Sequence, residues 1–238
     1  MEFHLNENIF KIVKNGTKHI EVRLNDDKRK KLKVGDNLIF INKSNEDKRI
    51  NTIIKGLKYF SSFEDLVNYY RIDEIYKEDS SKEEFLELIN KFYTKDEIEK
   101  YGVVAIDFEK REKSCGIMVF KDDKVLLVHQ TKGHWSFPKG HVENHETEYE
   151  TAIRETKEET NIDVKIISDF RQVVSYSPKI NTIKDVVFFI GIPLSNDLKP
   201  QEIEAQEVKY IKIEEALELI NEDMKDLLIN GYNEYKSK

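Results

Sequence analysis

Three glutamates fall within little more than one helical turn, Glu155, Glu158 and Glu159. Arg154 precedes them, and Gly140 and Glu146 stand upstream. Residues three and four apart on a helix share a face, so the three carboxylates crowd together. Two such charges about 5 Å apart repel by roughly 1–3 kcal/mol at effective dielectrics of 80 to 20. A divalent cation reverses that sign. Hard oxygen ligands on one rigid face suit magnesium or manganese, which keep several waters and bridge to substrate phosphates. The planar fork of Arg154 can hold two carboxylate oxygens and keep such ligands oriented. A solvated acidic helix interleaves lysine at four-residue spacing, whereas Glu155 and Glu159 face one another.

These side chains require a helix laid on a sheet. Tyr149, Ala152, Ile153, Thr156 and Thr160 recur at the spacing of the buried face. Gly116-Ile117-Met118-Val119-Phe120 and Val125-Leu126-Leu127-Val128, joined across Lys121-Asp122-Asp123-Lys124, predict a hairpin. Further strands are expected over 164–174 and 185–192, with helices over 214–220 and 223–229. In the first half, 21–24, 37–41, 50–54 and 103–108 read as strands. Ser81 with Glu84 and Thr94 with Glu97 are capping-box signals, and Phe85, Ile89 and Phe92 follow at helical spacing. The charged stretch Glu109-Lys110-Arg111-Glu112-Lys113 separates two strand-like segments and predicts domains at 1–110 and 111–238. Helices packed on a mixed sheet give an α+β fold class.

The 238 residues suit two domains of about 100–130 each. A net charge of −7 argues against a chain whose main business is non-specific binding to phosphate backbones. Cys115 is the sole cysteine and lies in an apolar run, which predicts a buried hydrophobe and no intrachain disulfide. No apolar run approaches the roughly 20 residues of a membrane span, so no membrane partner is expected. Met1-Glu2-Phe3-His4 does not open like a signal peptide, and a cytoplasmic location is the expectation. Oligomeric state is left open.

Gly140…Glu146…Arg154-Glu155-Thr156-Lys157-Glu158-Glu159-Thr160-Asn161-Ile162 resembles the Nudix box, and the similarity extends over about residues 113 to 231. Two positions depart from the pattern: Thr156 stands for an aliphatic residue, and Asn161 for a glycine. Asn is the commonest substitute for Gly in the left-handed conformation that closes a helix. The loop Trp135-Ser136-Phe137-Pro138-Lys139-Gly140-His141-Val142-Glu143 is similar to that of the diadenosine tetraphosphate hydrolases. That resemblance implies a Nudix α/β/α sandwich with a mixed sheet. It also implies magnesium- or manganese-dependent attack of water on a nucleotide substrate, most naturally a dinucleoside tetraphosphate. Glu155, Glu158, Glu159 and the carbonyl of Gly140 would then be metal ligands, with Arg154 orienting them. Glu155 or Glu204 would take the water's proton. Lys139, His141, Lys184 and Phe188 are candidates to contact substrate. Tyr176 lies in a polar loop able to reach a nucleotide, and the reading as an ordinary aromatic is favoured.

Asn15-Gly16-Thr17-Lys18-His19-Ile20-Glu21-Val22-Arg23 followed by Lys31-Leu32-Lys33-Val34-Gly35-Asp36 resembles the ASCH family over about residues 3 to 109. This implies a PUA-like β-barrel domain with a pocket lined by Lys18, Glu21 and Arg23. It brings RNA in as a second partner, and Lys28-Arg29-Lys30-Lys31 is locally basic enough to follow a phosphate backbone. Two other functions therefore stand beside the first. One is removal of pyrophosphate from RNA 5′ ends, with the ASCH half holding the RNA. The other is a non-catalytic nucleotide or RNA sensor.

Overall fold

Asn6 turns the chain from strand to helix. Its side chain accepts from the Ile9 N–H at 2.9 Å, which ends β1 (Glu2–Leu5) and starts α1 (Glu7–Lys14). The computed structural model describes residues 1–143, 145–201 and 205–238. The chain forms two units, Met1–Arg111 with Ser177–Ile183, and Glu112–Tyr176 with Lys184–Lys238.

In the first unit, β2 (Ile20–Leu24), β3 (Asn37–Asn42) and β4 (Asn45–Phe60) precede four helices. These are α2 (Phe63–Tyr69), α3 (Ile72–Ile75), α4 (Lys82–Ile89) and α5 (Lys95–Tyr101), and β5 (Val103–Lys121) follows. The strand order is β1-β3-β4-β5-β2, with β1 parallel to β3 and the other pairs antiparallel. The class is α+β, as expected. Among the described residues no ladder joins β1 to β2. Period two decides what β5 buries. Val104 and Ile106 join Phe10, Leu38 and Phe40, whereas Val103 and Ala105 join Val22, Phe63 and Phe85. Both expected capping boxes form, at Ser81 with Glu84 and at Thr94 with Glu97. Phe92, expected on the buried stripe of α4, lies beyond its end and is exposed.

The stretch 109–113 is regular strand within β5 rather than a break between two strands, and the two units divide within it, at Arg111 and Glu112. Lys110 is buried by its stem, with Nζ donating to the Lys14 carbonyl at 2.9 Å.

The second unit adds β6 (Lys124–Gln130), β7 (Trp135–Ser136), β8 (Lys139–His141), α6 (Glu148–Thr160) and β9 (Val164–Ile166). Then come β10 (Gln172–Lys179), β11 (Thr182–Pro193), β12 (Ala205–Lys212), α7 (Ile213–Leu219) and α8 (Lys225–Lys236). Alternation again sorts the core. Cys115, Ile117 and Val119 of β5 pack with Ala152, Ile162 and Phe189 on the α6 side. Met118 and Phe120 pack with Val186, Ala216 and Leu227 on the α7 and α8 side. Helices thus cover both faces of the sheet, the α/β/α arrangement expected. The predicted strand over 164–174 is broken, because β9 ends at Ile166 and β10 begins at Gln172. No helix among the described residues is long and apolar enough to cross a membrane.

The face of α6 differs from the expected one. Thr151, Ala152, Thr156, Glu159 and Thr160 are buried, while Tyr149 and Ile153 are 45% and 41% exposed. Small residues let the helix lie close to the sheet. The hydroxyls of Thr156 and Thr160 are satisfied on the carbonyls of Ala152 and Thr156.

Cys115 has no exposed surface, and burial pushes its thiol up to about 11. At pH 8 it is a protonated, enclosed thiol. We expect an Ellman-type reagent to label it at least about a hundredfold more slowly in native protein than in guanidinium, through opening of the core alone. Prompt native labelling would contradict this packing.

Candidate active site

Thr147 caps α6 by accepting from the Glu150 N–H, and Glu150 returns the bond to the Thr147 N–H at 2.8 Å. At the other end Asn161 adopts the left-handed conformation with φ 60°, and its amide donates to the Asp197 carbonyl at 2.9 Å. The helix that carries the glutamates is therefore fixed at both ends.

Strand β8 runs beside it, held by antiparallel pairing of Ser114, Cys115 and Gly116 with His141, Gly140 and Lys139. The approach of β8 to α6 depends on Gly140. A Cβ there would lie 2.0 Å from the carboxylate carbon of Glu155. Gly116 answers to a different constraint, since a Cβ there would meet the Pro138 carbonyl oxygen at 2.3 Å. The Lys139 N–H donates to Glu159 Oε2 at 3.1 Å, so this buried carboxylate is bound to the backbone of the same short strand.

Arg154 gathers the rest. Its Nε and Nη2 bind the two oxygens of Glu146 at 2.6 and 2.9 Å. Its Nη1 donates to Glu155 Oε1 at 2.8 Å and to Glu158 Oε2 at 3.0 Å, and Nη2 also donates to the His141 carbonyl at 3.0 Å. The Arg154 fork, helped by the Thr151 hydroxyl, holds Glu146 down at about 2, and the carboxylates raise Arg154 in turn. Burial and the neighbouring Lys139 lower Lys184, while Glu112, Glu155 and Glu159 act against them. Burial and then Lys184 lower His141. Lys139, Lys184, Glu155, Glu159 and His141 thus share one electrostatic neighbourhood.

The donor set fits a hard cation in kind. Glu155, Glu158 and Glu159 offer oxygens only, and the Gly140 edge comes as close as a missing Cβ allows. Among the described residues, no three acidic or histidine groups already converge on one point in a metal's geometry. Arg154 lies between Glu155 and Glu158. Glu204 lies outside the described residues.

A cavity of about 230 Å³ adjoins this site through Lys139 and is lined by His134, Trp135, Phe137 and Tyr176. Phe188 also borders it, but as a core residue only 1% exposed that meets Phe137 edge-on at 5.6 Å. Sequence reasoning favoured an ordinary role for Tyr176 and did not foresee Asn221, Asp223 and Met224, which close the cavity from beyond α7. Trp135, the sole tryptophan and set in a polar loop, was the available signal.

In the first unit, Lys18, Glu21 and Arg23 do come together beside a cavity of about 380 Å³. Lys18 is buried, lies 3.2 Å from Glu21, and donates to the carbonyls of Ile20 and Ile75. The ammonium thus donates to two carbonyls and is paired by charge with one carboxylate. Arg23 pairs with the other oxygen of Glu21 and lies 4.9 Å over the Phe3 ring. The basic run is partly neutralised, because Arg29 pairs with Asp26 and Lys30 with Asp27.

Comparison with known proteins matches residues 110–230 to the NUDIX domain and residues 3–112 to the ASCH domain. The bis(5′-nucleosyl)-tetraphosphatase [asymmetrical] of Sus scrofa is 31% identical over 137 residues, covering 50% of this chain and 92% of the relative. That of Caenorhabditis elegans is 35% identical over 116 residues, covering 45% and 83%. The crystal structure of a C. elegans Ap4A hydrolase binary complex is 27% identical with a TM-score of 0.48, covering 53% of this chain and 98% of that one. The chain belongs to the Nudix hydrolase family and carries an ASCH domain ahead of its Nudix domain.

Proposed function

We propose that this Nudix hydrolase cleaves a dinucleoside tetraphosphate asymmetrically, by attack of water at phosphorus, with magnesium or manganese held by Glu155, Glu158, Glu159 and the Gly140 carbonyl. The observation that carries the reading is the convergence of Arg154, the three glutamates and β8 beside an aromatic cavity of nucleobase size. The tetraphosphatase relatives, about 30% identical over half the chain, support the substrate. Bound metal would neutralise phosphate oxygens and acidify an attacking water.

The chain's own residues do the rest. Arg154 bridges Glu155 and Glu158 through Nη1 and so offsets their mutual repulsion. The ammonium groups of Lys139 and Lys184 face the polyphosphate, where their charge counts most as negative charge builds on the leaving group. Glu155 or Glu204 would accept the water's proton. His141 serves through its carbonyl, which fixes Arg154, while its lowered ring stays neutral at pH 7. The ASCH unit is a candidate RNA contact. Arg29 and Lys30 of its basic run are paired with Asp26 and Asp27, which reduces the positive charge there.

Glu159→Gln keeps the shape and an acceptor for the Lys139 N–H but removes the charge. We expect metal-dependent hydrolysis of diadenosine tetraphosphate to fall by about 10²-fold or more with the melting temperature nearly unchanged. Unchanged turnover would remove Glu159 from the site. Gly140→Ala pushes against the flexible end of Glu155 rather than against backbone. Its expected signature is a folded protein with kcat/KM lowered about 10²-fold. Gly116→Ala, which meets backbone, should instead cost about 1–3 kcal/mol of stability in chemical denaturation. For Lys18→Met, loss of the buried charge partner of Glu21 should destabilise the first unit by about 3–5 kcal/mol. A stability change below 1 kcal/mol in that variant would show that the ion pair holds nothing.

A further inference from the structure

The cavity of the second unit has mostly apolar and aromatic walls and a polar rim made after α7. The rim residues Asn221 and Asp223 belong to the 3-10 turn Glu222–Met224 and its cap. Neighbouring Glu222 is taken by Lys225, whose Nζ lies 2.6 Å from it. Among the described residues Asp223 makes no hydrogen bond or ion pair, and Asn221 makes no capping bond with its side chain. Two short polar side chains thus border an aromatic cavity with their hydrogen-bonding capacity unspent. The Asp223 carboxylate also acts on the phenol of Tyr176, which burial and this charge raise. The two groups therefore lie in one field.

The walls differ in what they leave open. Trp135 is stacked on His129 at 4.7 Å and carries the Lys209 ammonium over its ring at 4.8 Å. Phe137 and Phe188 are engaged with one another. Tyr176 stacks on no other ring among the described residues, and is the face left for a planar base. A base lying there presents its edge to the rim.

The geometry points to Asp223 as the residue that selects guanine over adenine in this cavity, an inference that rests on the nucleotide reading above. A carboxylate only accepts. Guanine offers it two adjacent donors, N1–H and the N2 amino group, with O6 beside them for the Asn221 amide. Adenine offers one amino group next to the N1 lone pair, which would face the carboxylate and be repelled. A charged acceptor matched by two donors gives a strong preference when buried. Because Asp223 is exposed, the preference is about five- to tenfold.

Trp135 is the sole tryptophan and lines the cavity, so its fluorescence reports occupancy directly. The full chain would be titrated with the β,γ-methylene analogues of GTP and ATP in magnesium. Turnover of diguanosine and diadenosine tetraphosphate would be measured alongside. The wild type should bind the guanine analogue about five- to tenfold more tightly, and Asp223→Asn, which offers a donor beside an acceptor, should erase or invert that ratio. Equal affinities in the wild type, or a guanine preference that survives Asp223→Asn, would overturn the assignment while turnover leaves the hydrolase reading standing. Equal weakening of both analogues in the variant would assign the carboxylate to ribose hydroxyls instead, and also overturns it. Absence of both binding and turnover would overturn the nucleotide reading together with the inference.

Discussion

A guanidinium set among three carboxylates organises the second unit's chemistry. Glu146, Glu155 and Glu158 would repel one another by roughly 1–3 kcal/mol per pair at 5 Å. Arg154 turns that repulsion into five donated hydrogen bonds, four to carboxylates and one to the His141 carbonyl. Glu146, the most strongly held, is drawn to about 2 and is spent on this purpose. It serves as counter-charge and anchor, with the Thr151 hydroxyl and the Glu143 N–H fixing it from other sides. The arrangement ties α6 to Glu146 and to the His141 carbonyl of β8 through one guanidinium.

The helix and its acidic turn were legible because period 3.6 and the six motif positions lie close together in sequence. The direction of burial was less so. Counting apolar residues favours Tyr149 and Ile153, but close packing selected threonines and alanine, and with them Glu159. A carboxylate can be buried here because the Lys139 N–H meets it, a partner twenty residues away that no local pattern announces. At 109–113, likewise, a long stem and a carbonyl partner let a charged stretch run as strand. The cavity rim was illegible for a third reason. Asn221 and Asp223 are ordinary turn residues, and only the packing of α7 and α8 on the sheet carries them to Trp135 and Tyr176.

In the first unit the residues were legible and their roles were not. Gly16-x-Lys18-x-x-Glu21-x-Arg23 marks the pocket, and the three side chains do meet. Yet Lys18 donates to two carbonyls and is paired by charge with Glu21, so it ties β2 to α3 as a charged rivet. An ion pair of this kind depends on both partners. Removing one strands the other in a medium that solvates it poorly. The basic run nearby shows the complementary lesson, since Asp26 and Asp27 precede it and claim two of its cations.

Strand β8 explains how opposite charges can serve one reaction centre. Three residues carry an ammonium for phosphate at Lys139, a missing Cβ for carboxylates at Gly140, and a carbonyl for Arg154 at His141. So short a strand has no stability of its own and borrows it from β5, where Gly140 pairs with Cys115. Cys115 in turn is locked in the core between the sheet and α6. The same packing that excludes water from that thiol holds the Gly140 edge against Glu155.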